Sequence, residues 1–155
     1  EVSAELERMA EEQVSDLDAE ADDRARRGKQ RRVRVATIYA QGMVVSAADH
    51  YHAALVMLYG EEIAHWELAR SLARQAVKLG DSRAWSIIAA AWDRVLLEQG
   101  EPQRFGTQFV RENGRLTLGR VDPQVTDAER AFYGVPPLWV QRQSAEQIQR
   151  REDNR

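Results

Sequence analysis

Three glycines set the tightest limit on how this chain can fold. Gly60, Gly80 and Gly100 each close a segment whose apolar residues recur at helical spacing. A glycine just past the last periodic residue accepts the left-handed backbone that ends a helix. The spacing predicts helices over 46–59, 61–79 and 82–99, with only one to three residues between neighbours. Helices joined so closely must pack as antiparallel neighbours. Ser46, with Asp49 three residues on, starts the first as a capping box, and Asp81 or Ser82 caps the third. Leu68, Leu72, Ala76 and Leu79 form the expected buried stripe of the second helix. The expected core gathers Leu55, Leu72, Trp85, Ile88 and Trp92.

The flanks are read from weaker patterns. Residues 1–28 suggest a polar helix with a thin stripe (Leu6, Met9, Val14, Leu17), interrupted by Gly28 and docked along one edge of the core. Val35, Ile38, Tyr39 and Met43 suggest a second helix over 31–43, ending near Gly42. Beyond Gly100 the pattern alternates around Glu112-Asn113-Gly114. Asn-Gly suits a type I′ turn, in which both central residues need positive φ. A hairpin is therefore expected over 107–112 and 115–120, with Phe109, Leu116 and Leu118 on one side. Thr126 and Glu129 make a second capping box, opening a short helix that stops at Gly134. Residues 141–155 carry almost no apolar side chain except Ile148 and are expected to form a frayed polar tail. The architecture expected is mainly α, a compact helical bundle with a small β-hairpin appended. Its parts are an N-terminal helix over 1–30, a single helical domain over 31–140 with the hairpin near 107–120, and the 141–155 tail.

Composition narrows the function. The 155 residues include no cysteine, which removes disulfides, thiolate metal sites and cysteine nucleophiles. The 22 Lys and Arg against 25 Asp and Glu leave a net charge of -3, so a nucleic-acid partner is not expected. Arg24, Arg26, Arg27, Lys29, Arg31, Arg32 and Arg34 form a basic cluster. It lacks interleaved aromatics and reads as a solvated face balancing the acidic residues 11–23. No apolar run approaches the roughly 18 residues of a membrane span. The expected location is cytoplasmic; a chain that begins at Glu1 rather than Met leaves secretion open. There is no Gly-rich phosphate loop, Gly-x-Ser-x-Gly elbow or His-Glu-x-x-His, and no cofactor is expected. Asp49/His52 and Glu62/His65 have the i, i+3 spacing of di-metal bundles. The two further inward glutamates are missing, so no metal is expected either.

Polar residues set against apolar faces mark a candidate site. Asp93 and Arg94 adjoin the face carrying Trp92 and Leu96, where an unpaired charge is costly. Either they form a structural ion pair or loop clamp, or Arg94 holds an anion while Asp93 orients or accepts a proton. Gln103, Thr107 and Gln108 lie in the next loop and can recognise a polar ligand or satisfy the turn itself. His65 lies on the stripe of Leu68 and Leu72, as a buried structural histidine or as a general acid or base. Tyr39, Tyr51 and Tyr59 would add hydroxyls. The reading is a small-molecule enzyme or ligand-binding protein, with a polar pocket between the helices and the 102–108 loop. Asp93 and His65 would serve in any cofactor-independent acid–base step. The alternative is a non-catalytic protein-interaction or regulatory module.

The stretches Ala91-Trp92-Asp93-Arg94, Gly100, Pro102-Gln103 and Phe105-Gly106-Thr107-Gln108 together resemble the signature of a widespread bacterial family of unknown function. Asp49-x-Tyr51-x-Ala53-Ala54 and Gly134-x-x-Pro137-Leu138 also fit, so the resemblance runs from about Gly42 to Pro137. It implies a small, mostly helical scaffold more strongly than a shared chemistry. Tyr59 and Arg70 stand where members of that family usually carry histidines. If those histidines are a reactive pair, both are replaced here, by a hydrogen-bonding phenol and an anion-binding guanidinium. Neither is a good base near neutral pH. Asp49 and Tyr51 are counted with the candidate ligand-binding residues, and His65 is the candidate substitute base.

Overall fold

The computed structural model describes residues 1–155 and is mainly helical, with a two-stranded antiparallel hairpin appended. The helices α1 (Val2–Ser15) and α2 (Ala21–Ala40) come first, joined through a 3-10 turn at Asp16–Asp18. Next come α3 (Ala47–Leu58), α4 (Ile63–Lys78) and α5 (Trp85–Glu98). The hairpin β1 (Val110–Glu112) and β2 (Arg115–Thr117) precedes α6 (Asp127–Phe132) and α7 (Leu138–Asp153).

The central trio forms where the capping and glycine signals place it. Ser46 Oγ accepts from the Asp49 N–H, and the Asp49 carboxylate accepts from the Ser46 N–H in return. Helix α4 packs extensively against both α3 and α5, which touch each other little. It must therefore present small residues to two neighbours. Ala69, Ala73 and Ala76 do so and are fully buried, as are Ala53 and Ala54 of α3, Ala91 of α5 and Ala84 in the 3-10 turn before it. This corrects the expected stripe: Leu72 and Ala76 are buried, but Leu68 is only half-buried and Leu79 is exposed. Of the expected core, Leu72 and Ile88 are buried, whereas Leu55, Trp85 and Trp92 are partly buried at its margin.

Three expectations at the chain ends are corrected. The helix over 1–28 breaks at Asp16–Ala19 instead, and α2 runs unbroken through Gly28. Gly28 is a close-packing site: a Cβ there would lie 3.3 Å from Arg32 Nη1 and 3.9 Å from Gln13 Oε1. The basic cluster is not simply a solvated face. Arg27 and Arg31 both donate to Asp16, and Arg34 grips Glu5 through two hydrogen bonds, which ties α2 to α1. Finally, 141–155 is no frayed tail, because α7 extends to Asp153. Gln149 Oε1 accepts from the Leu116 N–H at 2.7 Å, and Arg111 and Arg115 pair with Glu152 and Asp153. The docking is polar, so apolar spacing carried no sign of it.

The hairpin is shorter than expected, three residues per strand, with Arg111 opposite Leu116. Asn113 (φ 52) and Gly114 (φ 79) form its tip, as the type I′ reading requires. A second apolar cluster (Ala89, Phe105, Val125 and Val135, flanked by Trp92 and Tyr133) seats the 104–107 loop on α5. No helix is long and apolar enough to cross a membrane.

Candidate functional site

Asp93 is fully buried on α5, and its carboxylate organises the following loop. Oδ1 accepts from the backbone N–H groups of Arg104 and Phe105 at 2.7 and 3.0 Å. Oδ2 accepts from the N–H and the hydroxyl of Thr107 at 2.9 and 2.7 Å. An ionised carboxylate has about four acceptor positions, and these four donors fill them. Arg130, buried on α6, holds the same loop from the other side, donating from Nε to the Phe105 carbonyl at 2.9 Å.

Gln103 is also fully buried, and its amide braces the hairpin. Nε2 donates to the carbonyls of Gln108 and Leu118, and Oε1 accepts from the Gln108 N–H at 2.9 Å. Its backbone bonds with Arg120 and Asp122 close a small parallel bridge to Val121. With every polar group of this side chain engaged, the hairpin base is pinned beside α5.

Arg94 differs. Its Nε donates to Gln108 Oε1 at 3.0 Å, and its guanidinium lies 5.7 Å from the centre of the Tyr59 ring. No carboxylate pairs with it. Burial lowers its pKa, and Tyr59 alone works against that shift. Gln108 Nε2 in turn donates to the Thr107 hydroxyl at 3.0 Å. Asp93, Thr107, Gln108 and Arg94 thus form one hydrogen-bonded chain, ending on a cation without a counter-ion.

Thr107 and Tyr59 line a cleft of about 300 Å³ beside this chain. Tyr51 and Leu55 of α3, Ile87 and Ala90 of α5, and the 134–136 turn form its mainly apolar walls. Ser86 and Gln141 add polar groups, and Gln141 Nε2 donates to the Gly106 carbonyl at 3.1 Å. Arg94 follows Ala90 by one helical turn on the same face of α5.

The other candidates lie elsewhere. His65 borders a different cleft, with Lys29 and Arg32, and shares no partner with Asp93. Its Nδ1 accepts from the Glu61 N–H at 3.0 Å, and burial, reinforced by the Arg32 charge, lowers its pKa. Arg70 lies 5.3 Å from the centre of the Trp92 ring, on an open furrow of about 420 Å³ lined by one face of α4 without an apolar wall. Asp49 belongs to the α3 cap; burial raises its pKa, but hydrogen bonds from Ser3, Ser46 and Val45 outweigh this and hold it low. Nowhere do three or more His, Asp or Glu side chains converge as a metal site would require.

Sequence reasoning missed Arg130, Gln141 and Arg32. The first lies four residues after the Thr126 cap, where an outward charge is ordinary. The second falls in a segment without apolar periodicity, and the third is one arginine among many. No signal in the sequence separates them.

Fold and site together define a mainly helical protein that clamps a loop and a hairpin onto one helix and leaves a lined cleft beside an unpaired arginine. Comparison with protein-family models, with curated proteins and with solved structures finds no match to this chain.

Proposed function

We propose that this protein binds a small organic anion, a carboxylate or phosphate carried on an apolar body, in the cleft between α3, α5 and the 105–108 loop. The observation that carries the reading is Arg94: a half-buried guanidinium with one neutral hydrogen-bond partner and no carboxylate. Burying such a charge without a counter-ion is costly, and an anionic ligand supplies the missing partner. Thr107 and Tyr59 would orient the ligand, and the walls from Leu55, Ile87 and Val135 suit its apolar part. Binding is favoured over acid–base catalysis because the Asp93 acceptors are already occupied and His65 borders another cleft.

The test is calorimetric titration of the full chain with a panel of small monocarboxylates, phenylacetate first. Arg94→Met should weaken binding by about tenfold or more while the circular dichroism stays that of the parent. Unchanged affinity in Arg94→Met, or no binding by any member of the panel, would overturn the reading. One observation favours an interaction module as the second reading: Phe132 and Trp139 are 63 % and 64 % exposed on either side of the 134–137 turn. Self-association abolished by Trp139→Ser, with no small-molecule binding, would put that reading first.

A further inference from the structure

We infer that a second cleft, between α2 and the α3–α4 junction, binds a free α-amino acid with an aliphatic side chain. This inference stands apart from the Arg94 reading, because the cleft is a different one, of about 350 Å³. Its apolar lining is Val33, Ala36 and Met57, and its polar lining pairs Lys29 and Arg32 with Glu61 and Glu62, with His65 beside them.

Arg32 is the anomaly. It is 7 % exposed, and its Nε is buried with no hydrogen-bond partner. The only bond its guanidinium makes to the protein is a long one, 3.4 Å, from Nη1 to the Tyr59 carbonyl. The other arginines of α2 are all better provided. Arg27 and Arg31 share Asp16, Arg34 holds Glu5, Arg26 holds Asp23, and Arg24 donates to the Leu17 and Ala19 carbonyls. A guanidinium offers five N–H groups in a plane that matches a carboxylate, so a ligand carboxylate is the partner that Arg32 lacks.

A simple anion does not fit the rest of the cleft. Glu61 and Glu62 stand close enough to raise the Arg32 pKa against the larger effect of burial, yet neither reaches ion-pair distance. They would repel an approaching anion and attract a cation. His65 lies beside both. Its Nδ1 accepts from the Glu61 N–H, which leaves the proton of the neutral ring on Nε2, 3.3 Å from Glu62 Oε1. Two cations and two carboxylates around an apolar lining match a ligand that carries one charge of each sign and an aliphatic group. A zwitterionic amino acid has that composition: its carboxylate goes to Arg32 and Lys29, its ammonium to Glu61 and Glu62, and its side chain to Val33, Ala36 and Met57.

The experiment is isothermal titration of the full chain carrying Arg94→Met, which removes the anion partner proposed for the other cleft, with L-leucine, with 4-methylpentanoate (no ammonium) and with 3-methylbutylamine (no carboxylate). Leucine should bind, and each analogue should bind at least about tenfold more weakly. Glu61→Gln, at an exposed side chain with no protein partner, should weaken leucine by about tenfold without weakening 4-methylpentanoate. Arg32→Met should abolish binding; should that variant fail to fold, Glu61→Gln and the two analogues still decide the matter. Titrating in the Arg94→Met background separates this cleft from the other. No binding of leucine at millimolar concentration, 4-methylpentanoate binding as tightly as leucine, or indifference to Glu61→Gln would each overturn the inference.

Discussion

Asp93 Oδ2 accepts both the backbone N–H and the side-chain hydroxyl of Thr107, at 2.9 and 2.7 Å. The same threonine hydroxyl then accepts from Gln108 Nε2, and Gln108 Oε1 accepts from Arg94. Two adjacent residues of α5 are thereby linked through a loop that begins more than one helical turn beyond them. The loop is held by the protein itself, whether or not a ligand is present, and it presents Thr107 to the cleft in a fixed position.

Asp93→Asn should therefore be strongly destabilising. An asparagine offers one acceptor oxygen where two are used, and its NH2 group would face a donor. The expected loss is about 3–5 kcal/mol, the range for breaking a buried, fully bonded charge. Thr107→Val removes two bonds, the one donated to Asp93 and the one accepted from Gln108, and should cost about 1–3 kcal/mol. Urea denaturation checks both, and an Asp93→Asn variant within about 1 kcal/mol of the parent would refute the clamp.

Gly60 and Gly80 look alike as helix stops but should respond differently to alanine. A Cβ at Gly60 would sit 2.4 Å from His65 Cβ, with the imidazole ring atoms as close as 2.5 Å. Nothing lies within 4 Å of a Cβ at Gly80, where φ is +111°. Gly60→Ala should cost about 1–3 kcal/mol through overpacking. Gly80→Ala should cost about 1–2 kcal/mol through backbone strain alone. Thermal unfolding gives the size of each effect, and a displaced His65 resonance in NMR spectra should accompany Gly60→Ala but not Gly80→Ala.

Arg94→Met should be neutral or stabilising by about 1 kcal/mol, since it removes a half-buried charge that has no ionic partner and keeps the side-chain volume. The same variant loses ligand in the binding test. A fall in stability of more than about 2 kcal/mol would mean that the bond to Gln108 braces the loop and that Arg94 is not held for a ligand.

Acid should loosen the α1–α2 pairing in a defined window. Hydrogen bonds from Arg27 and Arg31 hold the Asp16 pKa down to about 2, against a reference value of 3.8. The folded value lies below the unfolded one, so the contribution to stability is fully present above about pH 4 and is lost as pH falls through about 2. Chemical denaturation at stepped pH measures it. Asp16→Asn should flatten that part of the profile, and a profile unchanged in the variant would rule out this assignment.

The parts of the fold legible in the sequence are those written by local chemistry. The Ser46–Asp49 box, the Thr126 cap, the Asn113-Gly114 tip and the bounds of α3, α4 and α5 each depend on residues within a few positions of one another. Short-range sterics and hydrogen bonding favour them without reference to any tertiary contact. The loop contact of Asp93 was legible for a related reason: a charge beside an apolar helix face needs partners, and the nearest donors follow it in the chain.

What the tertiary structure alone decided is which polar groups find each other across elements. Gly28 reads as a break, yet it leaves room for the Arg32 guanidinium and for the Gln13 side chain that Arg31 holds. The α7 segment reads as a tail because Gln149, Glu152 and Asp153 dock through hydrogen bonds and ion pairs, which leave no hydrophobic period. Arg32 reads like any other arginine, and the sequence singles out Arg94 only as a charge beside an apolar face; their lack of a counter-ion is a property of the packed surroundings. Apolar burial and capping repeat with the period of the backbone and can be read along the chain. The pairing of a buried charge depends on where distant elements come to lie, and that depends on the whole fold.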